Sequence, residues 1–230
     1  MATAATNTRD TSFSANWNAS ATATSYVLQV ATDTIFRLIV PGYNNINVGN
    51  VLTYPVIGLN PSAAYHYRVR ASNAGGTSAV SNVISVTTLV PVPKALPATN
   101  VTEASFTANW DTAATATAYL LDVATDTAFT TFVPGLNGLN VGSVATWNVS
   151  GLTGATKYFY RVRATNATGT SGSSNIISLL TIPFPPVATA ATSVMQTSFS
   201  ANWNAAAGAT AYFLQVATDS IFQTPVAGYG

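Results

Sequence analysis

Apolar and polar residues alternate along almost every segment of the chain. In Phe13-Ser14-Ala15-Asn16-Trp17 the apolar side chains take one face and the polar ones the other. Tyr26, Leu28 and Val30 repeat this period of two, with Gln29 pointing outward. In Tyr65-His66-Tyr67-Arg68-Val69-Arg70-Ala71 the aromatic and aliphatic residues share one face, opposite His66, Arg68 and Arg70. Period-two alternation marks half-buried strands. Pro41-Gly42, Asn60-Pro61 and Asn73-Ala74-Gly75-Gly76 break the runs as turns. The Ala-rich stretch from Ala113 to Ala118 reads as a loop, because its Thr content and flanking strand patterns oppose a helix.

The whole pattern recurs every 93 residues without insertion or deletion. Trp17, Trp110 and Trp203 keep this spacing, as do Tyr26, Tyr119 and Tyr212, and the segments Val30–Asp33, Val123–Asp126 and Val216–Asp219. A period of 93 lies above the ~20–50 residues of solenoid repeats, so the repeating unit is a domain. Three segments follow: a domain over 1–93, a second over 94–186, and the first half of a third over 187–230. About seven short strands per repeat predict tandem antiparallel β-sandwiches, an all-β fold. In the third segment Phe199, Trp203, Tyr212, Leu214 and Val216 are expected on an inner face. The opposing elements, equivalent to Leu59 through Val86, have no counterpart there. That face is expected to be covered by continuation of the polypeptide beyond Gly230 or by a neighbouring molecule.

The order and spacing of particular residues resemble the fibronectin type III family. Phe13…Trp17…Tyr26-x-Leu28-x-Val30 is similar to its first strands. Gly58-Leu59-x5-Tyr65-x-Tyr67-Arg68-Val69-Arg70-Ala71-x-Asn73-x2-Gly76-x-Ser78 resembles its later ones, and the second repeat restates it from Gly151 to Ser171. The resemblance implies an immunoglobulin-like sandwich of seven strands. It also implies a tyrosine corner at Leu59/Tyr65 and Leu152/Tyr158, in which the phenol oxygen bonds back to the preceding turn. Ala-Thr-Asp-x-x-Phe at 31–36, 124–129 and 217–222 is similar to the form of this repeat in secreted bacterial proteins, implying an extracellular or cell-surface location.

Composition narrows the function classes. Only 7% of the 230 residues are charged and the net charge is +1, against roughly 25% charged residues in ordinary soluble proteins. Neither a basic stripe for nucleic acid nor an acidic field for cations is present. A near-neutral surface favours association with further copies or the carriage of attached sugar. No run of eighteen apolar residues predicts a membrane span, and the absence of cysteine removes disulfides and thiolate chemistry.

Candidate chemistry is sparse. His66, the only histidine, has Phe159 as its counterpart, so no Ser-His-Asp or Cys-His arrangement can be assembled. Asp10, Asp33, Glu103, Asp111, Asp122, Asp126 and Asp219 are scattered, without calcium-ligand spacing or a paired-carboxylate pattern. No catalytic residue, cofactor site or metal site is expected. Arg161 or Arg163 is expected to form an exposed pair with Asp122, worth ~0–1 kcal/mol. The Asn-x-Ser/Thr sequons at Asn18, Asn100, Asn148 and Asn166 do not recur in register.

One polar feature does recur. Asp33-Thr34-Ile35, Asp126-Thr127-Ala128 and Asp219-Ser220-Ile221 occupy one turn in all three copies, and Asp111-Thr112-Ala113 has the same form. One reading is turn chemistry, with side chains bonding nearby backbone groups. The other is that Asp-(Ser/Thr)-small-apolar resembles an O-glycan acceptor of bacterial secreted proteins, making Thr34, Thr127, Ser220 and Thr112 candidate modification sites. Three functions are therefore expected in turn: a non-catalytic extracellular rod, fibre or surface layer; an adhesion module using the loops Asn73–Ser78 and Asn166–Ser171; or a spacer within a larger secreted enzyme.

Overall fold

A computed structural model of the chain describes residues 1–229. Gly230, the last residue of the expected third segment, lies outside the described residues. Every regular element is a strand and every resolved pairing is antiparallel. The first repeat contains β1 (Ala2–Thr6), β2 (Ser12–Trp17), β3 (Ser25–Ala31), β4 (Ile46–Gly49), β5 (Thr53–Ile57), β6 (Ala64–Asn73), β7 (Gly76–Thr77) and β8 (Ile84–Thr87). One sheet runs β1-β2-β5, and the other runs β4-β3-β6-β7 with β8 also on β6.

The alternation read from sequence becomes the burial pattern of the strands. Phe13, Ala15 and Trp17 of β2 are buried, as are Tyr65, Tyr67 and Val69 of β6. They meet Tyr26, Leu28, Val30 and Val56 in one core between the two sheets. Trp17 stacks at a tilt on Tyr26, ring centroids 5.7 Å apart. Its indole nitrogen is buried with no hydrogen-bond partner, so its contribution to stability is packing.

Hydroxyls of buried tyrosines complete the framework. The Tyr67 phenol donates to the Thr3 carbonyl and accepts from the Asn16 amide at 3.1 Å, linking β6 to both β1 and β2. Burial pushes this phenol up from its ordinary range. The Tyr65 hydroxyl accepts the Asn60 amide at 2.8 Å, as does Tyr158 the Thr153 amide at 3.0 Å, which is the corner implied by the resemblance.

The second repeat reproduces this order. Its strands are β9 (Ala95–Thr99), β10 (Ser105–Trp110), β11 (Ala118–Ala124), β12 (Leu139–Gly142), β13 (Thr146–Ser150), β14 (Lys157–Asn166), β15 (Gly169–Thr170) and β16 (Ile177–Leu180). They form the sheets β13-β10-β9 and β12-β11-β14-β15, with β16 on β14. The described residues fall into two compact units: Met1–Pro97 with Ala108–Trp147 and Phe159–Ser178, and Ala98–Thr107 with Asn148–Tyr158 and 179–229.

In the third segment β17 (Ala188–Thr192) pairs with β18 (Ser200–Trp203). The expected strand over Tyr212–Val216 is not formed among the described residues. Its counterpart β3 is held on both sides, by β4 and β6, whereas among the described residues no strand pairs with 212–216. The inner-face residues are consequently open: Phe199 is 49% exposed and Trp203 39%, against 2% and 3% for Phe13 and Trp17.

Two measurements check this account. Trp17→Ala is expected to lower unfolding free energy by ~3–5 kcal/mol in chemical denaturation, and Trp17→Phe by well under half of that. Tyr67→Phe, which leaves the Asn16 amide and Thr3 carbonyl unpaired, is expected to cost ~1–3 kcal/mol.

Candidate functional site

The recurring Asp turn is built by its carboxylate. Asp33 accepts the Arg37 amide at 3.0 and 3.1 Å and the Leu38 amide at 3.0 Å. Asp126 accepts Ala128 at 2.9 Å, Thr130 at 3.1 Å and Thr131 at 2.6 Å. Asp219 accepts Ile221 and Gln223 at 3.0 Å, Thr224 at 2.6 Å, and also the Thr224 hydroxyl. This capping holds Phe36, Phe129 and Phe222 at φ of 58, 57 and 55°, a conformation bulky residues rarely adopt. In the first two repeats a guanidinium covers the ring: Arg68 lies 4.0 Å from the Phe36 centroid and Arg161 4.1 Å from that of Phe129. The recurring Phe and Arg could have signalled this contact in the sequence.

Those donors lower the Asp pKa values. The Leu38 amide is the main cause for Asp33, the Thr130 amide for Asp126, and the Thr224 hydroxyl for Asp219, which falls to about 2. Turn chemistry therefore occupies the carboxylates. Thr34, Thr127 and Ser220 are exposed, and among the described residues no hydrogen bond engages their hydroxyls. Thr112 is exposed too, but its setting differs: the next amide, Ala113, donates to the Tyr119 phenol at 2.7 Å, and among the described residues Asp111 caps no comparable turn.

The Asp122 pair is unlike the exposed one expected. The carboxylate is 1% exposed and binds both arginines, Arg161 Nε at 2.9 Å and Arg163 Nη2 at 3.1 Å. It also accepts the Gly138 amide at 2.7 Å. Period-two alternation placed Asp122 outward correctly; what it could not show is that the 133–138 loop and the arginine stems close over that face. In the first repeat Gln29 does the same work with neutral atoms, accepting Arg68 Nε at 2.9 Å and donating to Asn44 Oδ1 at 3.1 Å.

His66 bonds Ser85 Oγ through Nδ1 at 2.8 Å on the sheet surface, and no group of three or more His, Cys, Asp or Glu converges among the described residues. The two loops expected as adhesion candidates are used differently. Residues 71–73 and 75–78 with Ser20, Thr22 and Ala23 line an open cavity of about 330 Å³. Asn166, in the equivalent loop of the second repeat, instead donates to Ser62 of the first repeat at 3.3 Å.

Two outcomes test these assignments. Asp122→Ala is expected to cost about 2–4 kcal/mol, because it strands two half-buried cations, and Asp122→Gln distinctly less. In a carboxyl NMR titration Asp219 is expected to titrate at about 2, and Asp33 and Asp126 below the ordinary ~3.9. Depressed folded pKa values mean the stabilisation is complete above ~3.9 and is lost as pH falls through the folded value.

Exoglucanase B of Cellulomonas fimi is 35% identical over 144 residues, which are 54% of this chain and 12% of that protein. The Kelch domain-containing protein SSO1033 of Saccharolobus solfataricus is 39% identical over 71 residues, 30% of this chain and 10% of that protein. The chain thus spans only about a tenth of either relative's length. Among solved structures, a two-domain fibronectin type III segment of chicken tenascin aligns over 79% of this chain and 98% of its own, with 16% identity and a TM-score of 0.42. The FN1–FN3 domains of chicken CNTN1 align over 78% of this chain and 67% of theirs, with 17% identity and a TM-score of 0.41. The Fibronectin type III domain model matches residues 2–87 and again 91–179, so the chain belongs to the fibronectin type III domain family.

Proposed function

We propose that the chain is a non-catalytic scaffold segment of a secreted bacterial protein, its repeats setting the distance between functional parts located elsewhere. One observation carries this reading: the polar side chains that recur every 93 residues bond the repeat's own backbone. Asp33, Asp126 and Asp219 cap a turn. Ser78 and Ser171 accept the Ala71 and Ala164 amides at 3.0 Å. Asn82 and Asn175 reach Ala2 and Ala95 carbonyls at 3.0 Å. Groups committed to the backbone are unavailable for turnover. Similarity to a short part of an exoglucanase supports the spacer form of this role.

A fibre or surface layer is the second reading, favoured by the low charge of the chain, 7% of its residues, which gives neighbouring copies little electrostatic repulsion. The free hydroxyls of Thr34, Thr127 and Ser220, with Thr112, are the proposed places for O-linked sugar, which would hydrate a surface with so little charge.

Mass spectrometry and electron microscopy of the native protein test all three. The scaffold reading expects a polypeptide far above 23.7 kDa, appearing as dispersed particles; regular filaments of a chain near 23.7 kDa would replace it with the fibre reading. Peptides carrying 34, 127, 220 and 112 are expected above their bare mass, and bare mass throughout refutes the modification.

A further inference from the structure

The first repeat meets the second at one set of positions, and the same positions meet again one period later. Ser62 Oγ lies 2.7 Å from Thr115 Oγ1, and Asn166 Nδ2 reaches Ser62 Oγ at 3.3 Å and the Thr115 carbonyl at 3.1 Å. Adding 93 to Ser62 and Thr115 gives Ala155 and Gly208. There the Ala155 methyl sits 2.2 Å from where a Gly208 Cβ would stand, so only glycine fits. The backbone matches as well: Ser62 and Ala155 have φ of 50 and 49°, and Thr115 and Gly208 have 65 and 74°. A β-branched residue in that region is a marked outlier and persists only where its surroundings hold it.

The segment between the first two repeats belongs to this joint. Val90 is fully buried. Leu89 packs so closely on the 169 position that a Cβ there would come within 2.9 Å of its Cδ2. Under this cover Ser171 and Ser174 are 5% and 9% exposed. Their counterparts Ser78 and Ser81, with the same hydrogen bonds to the Ala71 and Val69 amides, are exposed and half-buried.

The first repeat has Thr22, Asn73 and Gly76 at the receiving positions of this joint, with Thr22 outside the positive-φ region that Thr115 and Gly208 occupy. Asn73 Nδ2 already reaches the Thr22 carbonyl at 3.2 Å, as Asn166 does Thr115, and the two residues border the open cavity of about 330 Å³. We propose that the face formed by Thr22, Asn73 and Gly76 is a docking surface for the Ser62–Leu89–Val90 pole of a repeat of this kind joined directly ahead of it. The occupant is argued from continuity: the same face in the second repeat is filled by that pole, and the 115 position's counterpart in the third segment meets its Ala155 equivalent. This deepens the scaffold reading and rests on it.

Hydrogen exchange on the full chain tests it, with a second copy of residues 1–93 fused ahead of Met1 so that the period is kept. Amides of Ala23, Gly76 and Ser78 in the recipient repeat are expected to slow by about tenfold or more, toward the rates of Ala116, Gly169 and Ser171. Leu89→Asp in the added copy alone, which leaves the recipient's own fold untouched, is expected to restore fast exchange. Unchanged rates in the fused chain, or full protection with Leu89→Asp, overturn the proposal. Protection that instead appears on concentrating the unfused chain overturns it in favour of association between separate chains. A failed scaffold reading would show in the native mass and leave these rates as they are.

Discussion

A single phenol in each complete repeat reaches from one sheet to the other. Tyr67 and Tyr160 are fully buried, and each donates to a carbonyl of the repeat's first strand while accepting an amide of its second, Asn16 or Asn109. A sandwich without cysteine has no covalent cross-link between its sheets, so register between them depends on groups of this kind. The aromatic ring contributes apolar area to the core while its hydroxyl satisfies backbone that would otherwise be buried unpaired. The same division recurs at Tyr26 and Tyr119, whose hydroxyls accept the Ser20 and Ala113 amides. Aromatic residues thus do here what charged residues and disulfides do in other small domains.

The low charge content follows from the same economy. Of the seven acids, three cap the recurring turn and one, Asp122, is enclosed by Arg161, Arg163 and the Gly138 amide. Gln29 fills the Asp122 position in the first repeat with one arginine bonded instead of two. An amide and a carboxylate are therefore interchangeable at this site, which identifies its task as satisfying a guanidinium that covers Phe36 or Phe129. The ion pair is one solution to a packing requirement and has no chemistry of its own.

What could be read from the sequence was whatever lies within one strand or one turn. Alternation in Phe13–Trp17 and Tyr65–Ala71 predicted the buried faces because period two maps directly onto a sheet, and the spacing from Leu59 to Tyr65 carried the corner. Asp122 defeated that reasoning, since outward in the strand is not outward in the domain once a loop lies over the sheet. The strand expected over Tyr212–Val216 failed for a complementary reason: its alternation is intact, but a strand exists only with a ladder partner, and among the described residues none lies beside it. The joint was least legible of all. Ser62, Thr115 and Asn166 are far apart in the chain, and the pair changes from Ser–Thr to Ala–Gly one period later, so neither chemistry nor local pattern marks it.

That change of chemistry bears on how such repeats can be joined. A hydroxyl pair at 2.7 Å and a methyl packed on a glycine make different interactions at the same backbone positions, with nearly the same φ on both sides. What is kept is the shape of the two backbones, and side chains are fitted to it afterwards. A small residue is required on each side, because a larger one at 155 or any Cβ at 208 would separate the repeats. The near-identical loops Asn73–Ser78 and Asn166–Ser171 then have a structural reason to stay short and small. A surface that must accept the pole of its neighbour cannot also vary freely to accept a ligand, and its uniformity between repeats argues for a role in joining them.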